Sequence, residues 1–198
     1  MEIKIFNRWS TADVKVTDTG LRDYIGLRPI IVPKTGARYA QRQFHKSRIS
    51  IVERLINKLM IPGHKGKKHR ITSNTATGKS ATVYQIVEDC FRIIESKTKQ
   101  NPVKVFVEAI ENACPREEIV SIEYGGARYP QAVDCAPQRR IDLALRQMVQ
   151  GSYGKSFNSK RKAAETLADE IINAYNRSPN SNAIAKKLET ERQSDSSR

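Results

Sequence analysis

Val120-Ser121-Ile122-Glu123-Tyr124-Gly125-Gly126-Ala127-Arg128-Tyr129 is the passage at which the apolar period of this chain changes from that of helices to that of strands. Val120, Ile122 and Tyr124 alternate with Ser121 and Glu123, the period of a half-buried strand. Gly125-Gly126 is a turn signal, and Tyr129 to Cys135 can return as the second strand. Pro130 cannot donate to a ladder, so the return strand is an edge or carries a bulge. The hairpin covers residues 118–136. A lone hairpin is weak in water, so this one has to lean on helices or on a partner.

On both sides of it the period is helical. Upstream, Ser47 or Ser50 can cap a helix running to Met60, with Ile49, Val52, Ile56 and Leu59 on one face, and Ile61-Pro62-Gly63 ends it. A second helix runs from Gly78 to Lys97 with Val83, Val87, Cys90 and Ile94 as its stripe. Asn101-Pro102 supplies a cap and first-turn pair for a third, with Val103, Phe106, Ile110 and Ala113. Downstream, Pro137 opens a fourth helix to Gln150 with Ile141, Leu145 and Met148 inward. Gly151 to Ser159 reads as a flexible basic loop. A fifth helix from Lys160 to Tyr175 carries Ala164, Leu167, Ile171 and Ala174, and a short last one runs from Ala183 to Arg192. The expected fold is mainly α: a bundle of about six helices with one protruding β-hairpin inserted before the fourth. Residues 1–46 form an arm, whose first 33 residues either lie over the core or are a frayed terminus. Within it Asp13 to Asp18 alternates like a short strand, and Leu21 to Ile25 is short enough for a single helical turn or an extended passage. Residues 47–192 form the bundle, and 193–198 a mobile polar tail.

Charge is distributed very unevenly. Residues 34–70 contain Lys34, Arg38, Arg42, Lys46, Arg48, Arg54, Lys58, Lys65, Lys67, Lys68 and Arg70 against the single acid Glu53, a net of +10 out of +14 for the chain. The same stretch holds all three histidines, His45, His64 and His69. Residues 1–33 contribute +1, residues 71–136 contribute −2 and residues 137–198 contribute +5. So concentrated a field calls for a polyanion, with nucleic acid the default; the bland alternative is a solvated lysine-rich tail. A mean hydropathy of −0.58 with 38% hydrophobic residues allows a core but leaves much surface polar. No apolar run reaches the roughly 18–20 residues of a membrane span, and the first residues lack the pattern of a signal peptide. Cys90, Cys114 and Cys135 are odd in number and far apart, as expected of buried thiols in a reducing, cytoplasmic setting.

Within the basic regions, Arg38-Tyr39, Arg42, Phe44-His45-Lys46 and Arg48 interleave cations with aromatics, a mixture suited to phosphate contacts and base stacking; the alternative tucks Tyr39 and Phe44 into the core. Lys65-Gly66-Lys67-Lys68-His69-Arg70 has nothing to bury and glycine enough for close backbone approach to phosphate. Lys79 stands at a helix start, where free amides favour anions. Arg139-Arg140 and Lys160-Arg161-Lys162 also stand at helix starts, where cations oppose the helix dipole unless a phosphate is served by both. Arg146 is available on the outer face of the fourth helix and Lys155 in the loop after it. The hairpin tip, Gly125, Gly126, Arg128 and Tyr129, is slim enough to enter a groove, or is an ordinary exposed turn.

Enzymatic readings find little support. Thr77-Gly78-Lys79-Ser80 ends like a P-loop, but Ser73 stands where that motif needs its first glycine, and no strand leads into it. His64 and His69 lie among lysines that would repel a metal. Glu117-Glu118 reads as solvated charge at the hairpin entrance. A helix-turn-helix DNA regulator would need a recognition helix and a dimer interface, and neither is evident; charge carried in loops favours shaped RNA.

Several segments together resemble one family. They are Phe6-Asn7-Arg8-Trp9-Ser10-Thr11, Gly36-Ala37-Arg38-Tyr39-Ala40, Ile51-Val52-Glu53-Arg54-Leu55, Gly66-Lys67-Lys68, Asn101-Pro102, Gly125-Gly126-Ala127-Arg128-Tyr129, Gln131-Ala132-Val133-Asp134, Arg139-Arg140-Ile141 and Leu167-Ala168-Asp169-Glu170-Ile171-Ile172-Asn173-Ala174. In this order, from Ile3 to Arg192, they resemble the S-seven family of small-subunit ribosomal proteins in its archaeal and eukaryotic form. The resemblance implies a helical bundle with a β-ribbon, no enzymatic activity, no cofactor or metal, and no obligate homo-oligomer. It implies a primary binder of small-subunit ribosomal RNA that organises the subunit head. It places Arg38, Tyr39, Arg42, Lys46, Arg48, Lys67, Lys68, Lys79, Arg139 and Arg140 on that RNA. It puts Arg128 and Tyr129 near the exit-site tRNA and a neighbouring ribosomal protein, and the last helix near the path of departing mRNA. Gln193 to Ser197 departs from the family's more basic tails.

Overall fold

The structure is a computed structural model, and it describes residues 3–41, 43–63 and 76–198. Six α-helices and one antiparallel hairpin follow in chain order: α1 (Ile51–Leu59), α2 (Ser80–Thr98), α3 (Pro102–Ala113), β1 (Glu117–Tyr124), β2 (Ala127–Asp134), α4 (Pro137–Ser156), α5 (Ala163–Tyr175) and α6 (Asn182–Asp195). The expected mainly helical bundle with a hairpin before its fourth helix is the fold found.

α5 lies at the centre because its sequence is apolar and small on the faces it must share. Ala164, Leu167, Ala168, Ile171 and Ala174 are buried, and α2, α3 and α4 all pack on it. Around it the stripes of α2 (Val83, Val87, Cys90, Phe91, Ile94) and α3 (Val103, Phe106, Ile110) close one continuous core with Ile141, Leu145 and Met148 of α4. The cap of α3 forms as its sequence requires: Asn101 Oδ1 accepts from Val103 N at 3.0 Å, with Pro102 in the first turn. Ser50 occupies the cap position of α1, but its hydroxyl makes no capping bond.

The arm joins that core. Ile5, Trp9, Val14, Val16, Leu21 and Ile25 are all buried in it. The Trp9 ring meets Phe91 edge-on at 5.7 Å, and Phe6 meets Tyr84 at 4.8 Å, geometries that aromatic quadrupoles favour. Asn101 Nδ2 donates to Ser10 O at 2.7 Å, tying the arm to the α2–α3 turn. Residues 14–18 are not a strand, although Val14 and Val16 point inward as alternation requires. The partner of Thr17 N and Asp18 N is one carboxylate oxygen, Glu111 Oε1, at 2.6 and 3.0 Å. Of the two readings open for Leu21 to Ile25, the helical turn is the one found, a 3₁₀ turn at Arg22–Tyr24.

Two helices run longer than their sequences suggest. α4 continues to Ser156 through what reads as a glycine loop. A Cβ on Gly151 would stand 2.6 Å from Asn182 Cβ and 3.1 Å from Glu170 Oε1, so this glycine serves a close approach of helices rather than a turn. α6 continues to Asp195, with Ser194 fully buried and Arg198 paired with Glu117 at the hairpin base.

The hairpin is in continuous register from Glu117↔Asp134 to Tyr124↔Ala127, without a bulge. Gly125 and Gly126 have φ of +58° and +82°, as a two-residue type I′ loop requires. Residues 120–131 are exposed on both faces, so the ribbon stands clear of the bundle, held at its base by α6.

Candidate nucleic-acid interface

The basic segment is fastened to α1 by its own polar side chains. Glu53 and Asn57 stand one turn apart on α1 and hold Thr35 and Tyr39, also four residues apart. Glu53 Oε1 accepts from Thr35 N at 2.8 Å and Thr35 Oγ1 at 2.6 Å, while Asn57 Nδ2 donates to the Tyr39 hydroxyl at 3.0 Å. Tyr39 is half-buried and stacks on His45 with rings 6° from parallel and centroids 6.3 Å apart. Burial, then the nearby Glu53 charge, push its phenol above the ordinary tyrosine range. Phe44 takes the opposite course: it is 64% exposed, at φ +60°, and offers an aromatic face beside His45, Lys46 and Arg48. Arg38 is exposed and donates to Thr35 O at 3.0 Å.

Asp142 of α4 is the acid that fixes this face. It pairs with Lys46 and, at 3.0 Å, with Arg54, whose side chain is nearly buried. Arg54 Nη1 also donates to Tyr24 O at 3.1 Å. Burial works to raise the Asp142 carboxyl, but hydrogen bonds from Lys46 and Arg54 outweigh it and hold the group below the usual carboxylate range. One carboxylate thus joins the basic segment, α1 and α4.

The other cations expected at the interface divide by what they touch. Arg139 makes a forked pair with Glu118, with Nη2 to Oε2 at 2.6 Å. Arg140 has a side chain only 12% exposed and bonds Asp18 at 2.9 Å and Pro115 O at 3.0 Å. Lys155 bonds the buried Glu170 at 2.8 Å and Asn180 O at 3.0 Å, and Arg161 pairs with Asp169, which Lys97 also reaches at 2.7 Å. Arg48, Lys79, Arg146, Lys160 and Lys162 are exposed, with side chains that make no ion pair among the described residues. Arg42, Lys65, Lys67, Lys68, His69 and Arg70 lie outside the described residues. At the hairpin, Gly125 and Gly126 form the tip, Arg128 pairs with Glu123 at 3.4 Å, and Tyr129 stands opposite Ile122 and is 59% exposed.

In the sequence Asn57 and Asp142 are given no role, and Glu53 and Lys58 enter without any site role. The signal available for them was the spacing of four in Arg54/Lys58 and Asp142/Arg146, which places each pair on one helix face. Among the described residues no cluster of His, Cys, Asp and Glu is built to hold a metal, and no helix is long and apolar enough to cross a membrane. The arrangement presents cations and an exposed aromatic, backed by acids that fix some cations and leave others to solvent. It can hold phosphate and stack on bases.

Comparison with known proteins agrees with that chemistry. Residues 21–198 match the family model described as "Ribosomal protein S7p/S5e". The chain is 55% identical over 198 residues to the "Small ribosomal subunit protein uS7" of Nanoarchaeum equitans (strain Kin4-M), covering 100% of both chains. It is 47% identical over 192 residues to the protein of the same name from Methanosphaera stadtmanae, covering 97% of each. With nearly the whole chain matched, and in a family of ribosomal proteins rather than of enzymes or DNA regulators, this chain belongs to the ribosomal protein S7p/S5e family.

Proposed function

We propose that this chain is a structural component of the small ribosomal subunit, bound to the ribosome in the cytoplasm. It acts as a primary binder of small-subunit ribosomal RNA that organises the subunit head. The observation that carries this reading is the fastening of the basic segment to α1 and α4 through Glu53, Asn57 and Asp142. Charge on a pinned scaffold selects a shaped polyanion, because its positions cannot adapt to any other. In this reading the arm of residues 1–46 and the bundle of residues 47–192 hold the RNA jointly. Arg38, Tyr39, Arg42, His45, Lys46, Arg48, Lys79 and the lysine-glycine loop form the main contact, and α4 and α5 contribute Arg139, Arg146, Lys160 and Lys162. The hairpin tip faces the exit-site tRNA and a neighbouring ribosomal protein, and α6 lies near departing mRNA.

The test is a salt titration of binding to a head-domain rRNA fragment, with duplex DNA as competitor. For six to ten neutralised phosphates, affinity falls roughly 10³–10⁵-fold between 50 and 200 mM salt, and duplex DNA competes poorly. A flat salt response, or equal competition by DNA, would refute the reading.

A further inference from the structure

α1 and α4 meet in two steps of opposite character. On the first, Arg54 of α1 bonds Asp142 of α4 at 3.0 Å. One turn further along each helix stand Lys58 and Arg146, near enough for the charge of Arg146 to act against that of Lys58. Neither side chain forms an ion pair or hydrogen bond among the described residues, and Asp142, one turn before Arg146, is already shared by Lys46 and Arg54. Lys58 is half-buried. Burial first, and then the charges of Arg146, Lys46 and Arg54, hold its ammonium below the ordinary lysine range, with only Asp142 acting in the other direction.

A partly desolvated cation beside like charges is unfavourable unless something neutralises it. Stability of the fold explains only half of the arrangement. Lys58 lies in the last turn of α1, where a cation offsets the helix dipole. Arg146 lies in the middle of α4, where the dipole offers nothing. The missing member of this step is an anion. Lys46, bonded to Asp142 and acting on Lys58, borders the same step, which makes it continuous with the basic segment rather than an isolated pocket.

We propose that Lys58 and Arg146 form a clamp for one backbone phosphate of the RNA, positioned by Asp142, which keeps Lys46 and Arg54 bound to itself. A phosphodiester offers two non-bridging oxygens; the guanidinium fork takes both and the ammonium shares one of them, a division suited to their geometries. The inference rests on the RNA-binding reading and specifies a contact within it.

The experiment uses the full chain and the head-domain rRNA fragment, with Lys58→Met, Arg146→Met and the double variant, each checked by circular dichroism and thermal midpoint. Methionine keeps the apolar stem, and loss of like-charge repulsion should leave the midpoint unchanged or raised. Each single variant should bind about 10-fold more weakly or worse and lower the slope of log affinity against log salt by about 0.7–0.9, the value of one phosphate. Because both side chains hold the same phosphate, the double variant should lower the slope no further than either single one. A double variant that loses the sum of two contacts, or single variants that bind as wild type does, would overturn the clamp. Inorganic phosphate replacing chloride at equal ionic strength should not displace the fragment; displacement from wild type but not from the double variant would assign the site to a free anion and overturn the RNA assignment. A wild-type chain that binds the fragment no better than duplex DNA would instead overturn the reading beneath it.

Discussion

Gly151 of α4 and Glu170 of α5 share a contact that leaves no room for a methyl group: a Cβ on the glycine would lie 3.1 Å from the Glu170 carboxylate and 2.6 Å from Asn182 Cβ. The fully buried carboxylate accepts from Lys155 Nζ at 2.8 Å, Ser181 Oγ at 2.8 Å and Ala183 N at 3.2 Å, so three helices meet on one charged group. Gly151→Ala should therefore destabilise the protein by about 1–3 kcal/mol, the usual cost of overpacking, although alanine is the better helix former. Urea denaturation with an unchanged slope and a lowered midpoint would show it. A midpoint equal to wild type or higher would mean that α6 moves aside freely.

The arm should unfold together with the bundle. Trp9 is 4% exposed and packs on Phe91, a core residue of α2. Trp9→Ala is expected to cost about 3–5 kcal/mol and to lower the midpoint seen by helix circular dichroism. Were the arm a separate unit, the helical signal would melt as before.

Acid should act through carboxylates held by cations. Asp18, Glu118, Asp142 and Asp169 all have carboxyls below their ordinary range. A folded-state value below the unfolded one means that the unfolded chain binds protons first as pH falls. Their stabilisation is thus complete above the unfolded value of about 4 and is lost as pH falls through the folded one. Asp142→Asn should lower stability at neutral pH and flatten the loss below about pH 4. A variant whose acid limb keeps the wild-type steepness would show that Asp142 takes no part.

Gly126 sits at φ +82°, where an L side chain is strained by about 1–2 kcal/mol. Gly126→Val should raise amide exchange through β1 and β2. The midpoint of the bundle should move little, since residues 120–131 bury nothing on it. A large fall in global stability would show the ribbon to be part of the core.

Most of this fold is legible in the sequence because its helices carry the period of buried faces and the hairpin carries the other period plus its own turn. What was hidden has physical reasons. Gly151 looks in sequence like a loop glycine, since a residue chosen for absence of a side chain reads the same whether a turn or a neighbouring helix demands it. Residues 14–18 alternate like a strand, yet it is Glu111 that accepts from Thr17 N and Asp18 N, and nothing local reveals a partner so distant in the chain. At the interface, the residue types were legible but their partners were not. Arg139 and Arg140 are adjacent and alike, yet one lies half open on Glu118 and the other is nearly enclosed against Asp18. Only the packing of the arm beside α4 distinguishes them.

The ribbon also bears on the life of this chain before it meets RNA. Val120, Ile122 and Tyr124 share one face with Tyr129, all exposed, and each strand has an outer side on which no further strand pairs among the described residues. Such an edge invites pairing with a second copy. Counting from the tight turn, bonded and non-bonded pairs alternate, so Pro130, opposite Ser121, falls on a non-bonded pair. Its missing N–H is then a missing donor on the outer side of β2. Beside it the Glu123–Arg128 pair adds charge to the other face. The proline that marks β2 in sequence as an edge or bulged strand is thus also what makes a newly made chain a poor template for fibres.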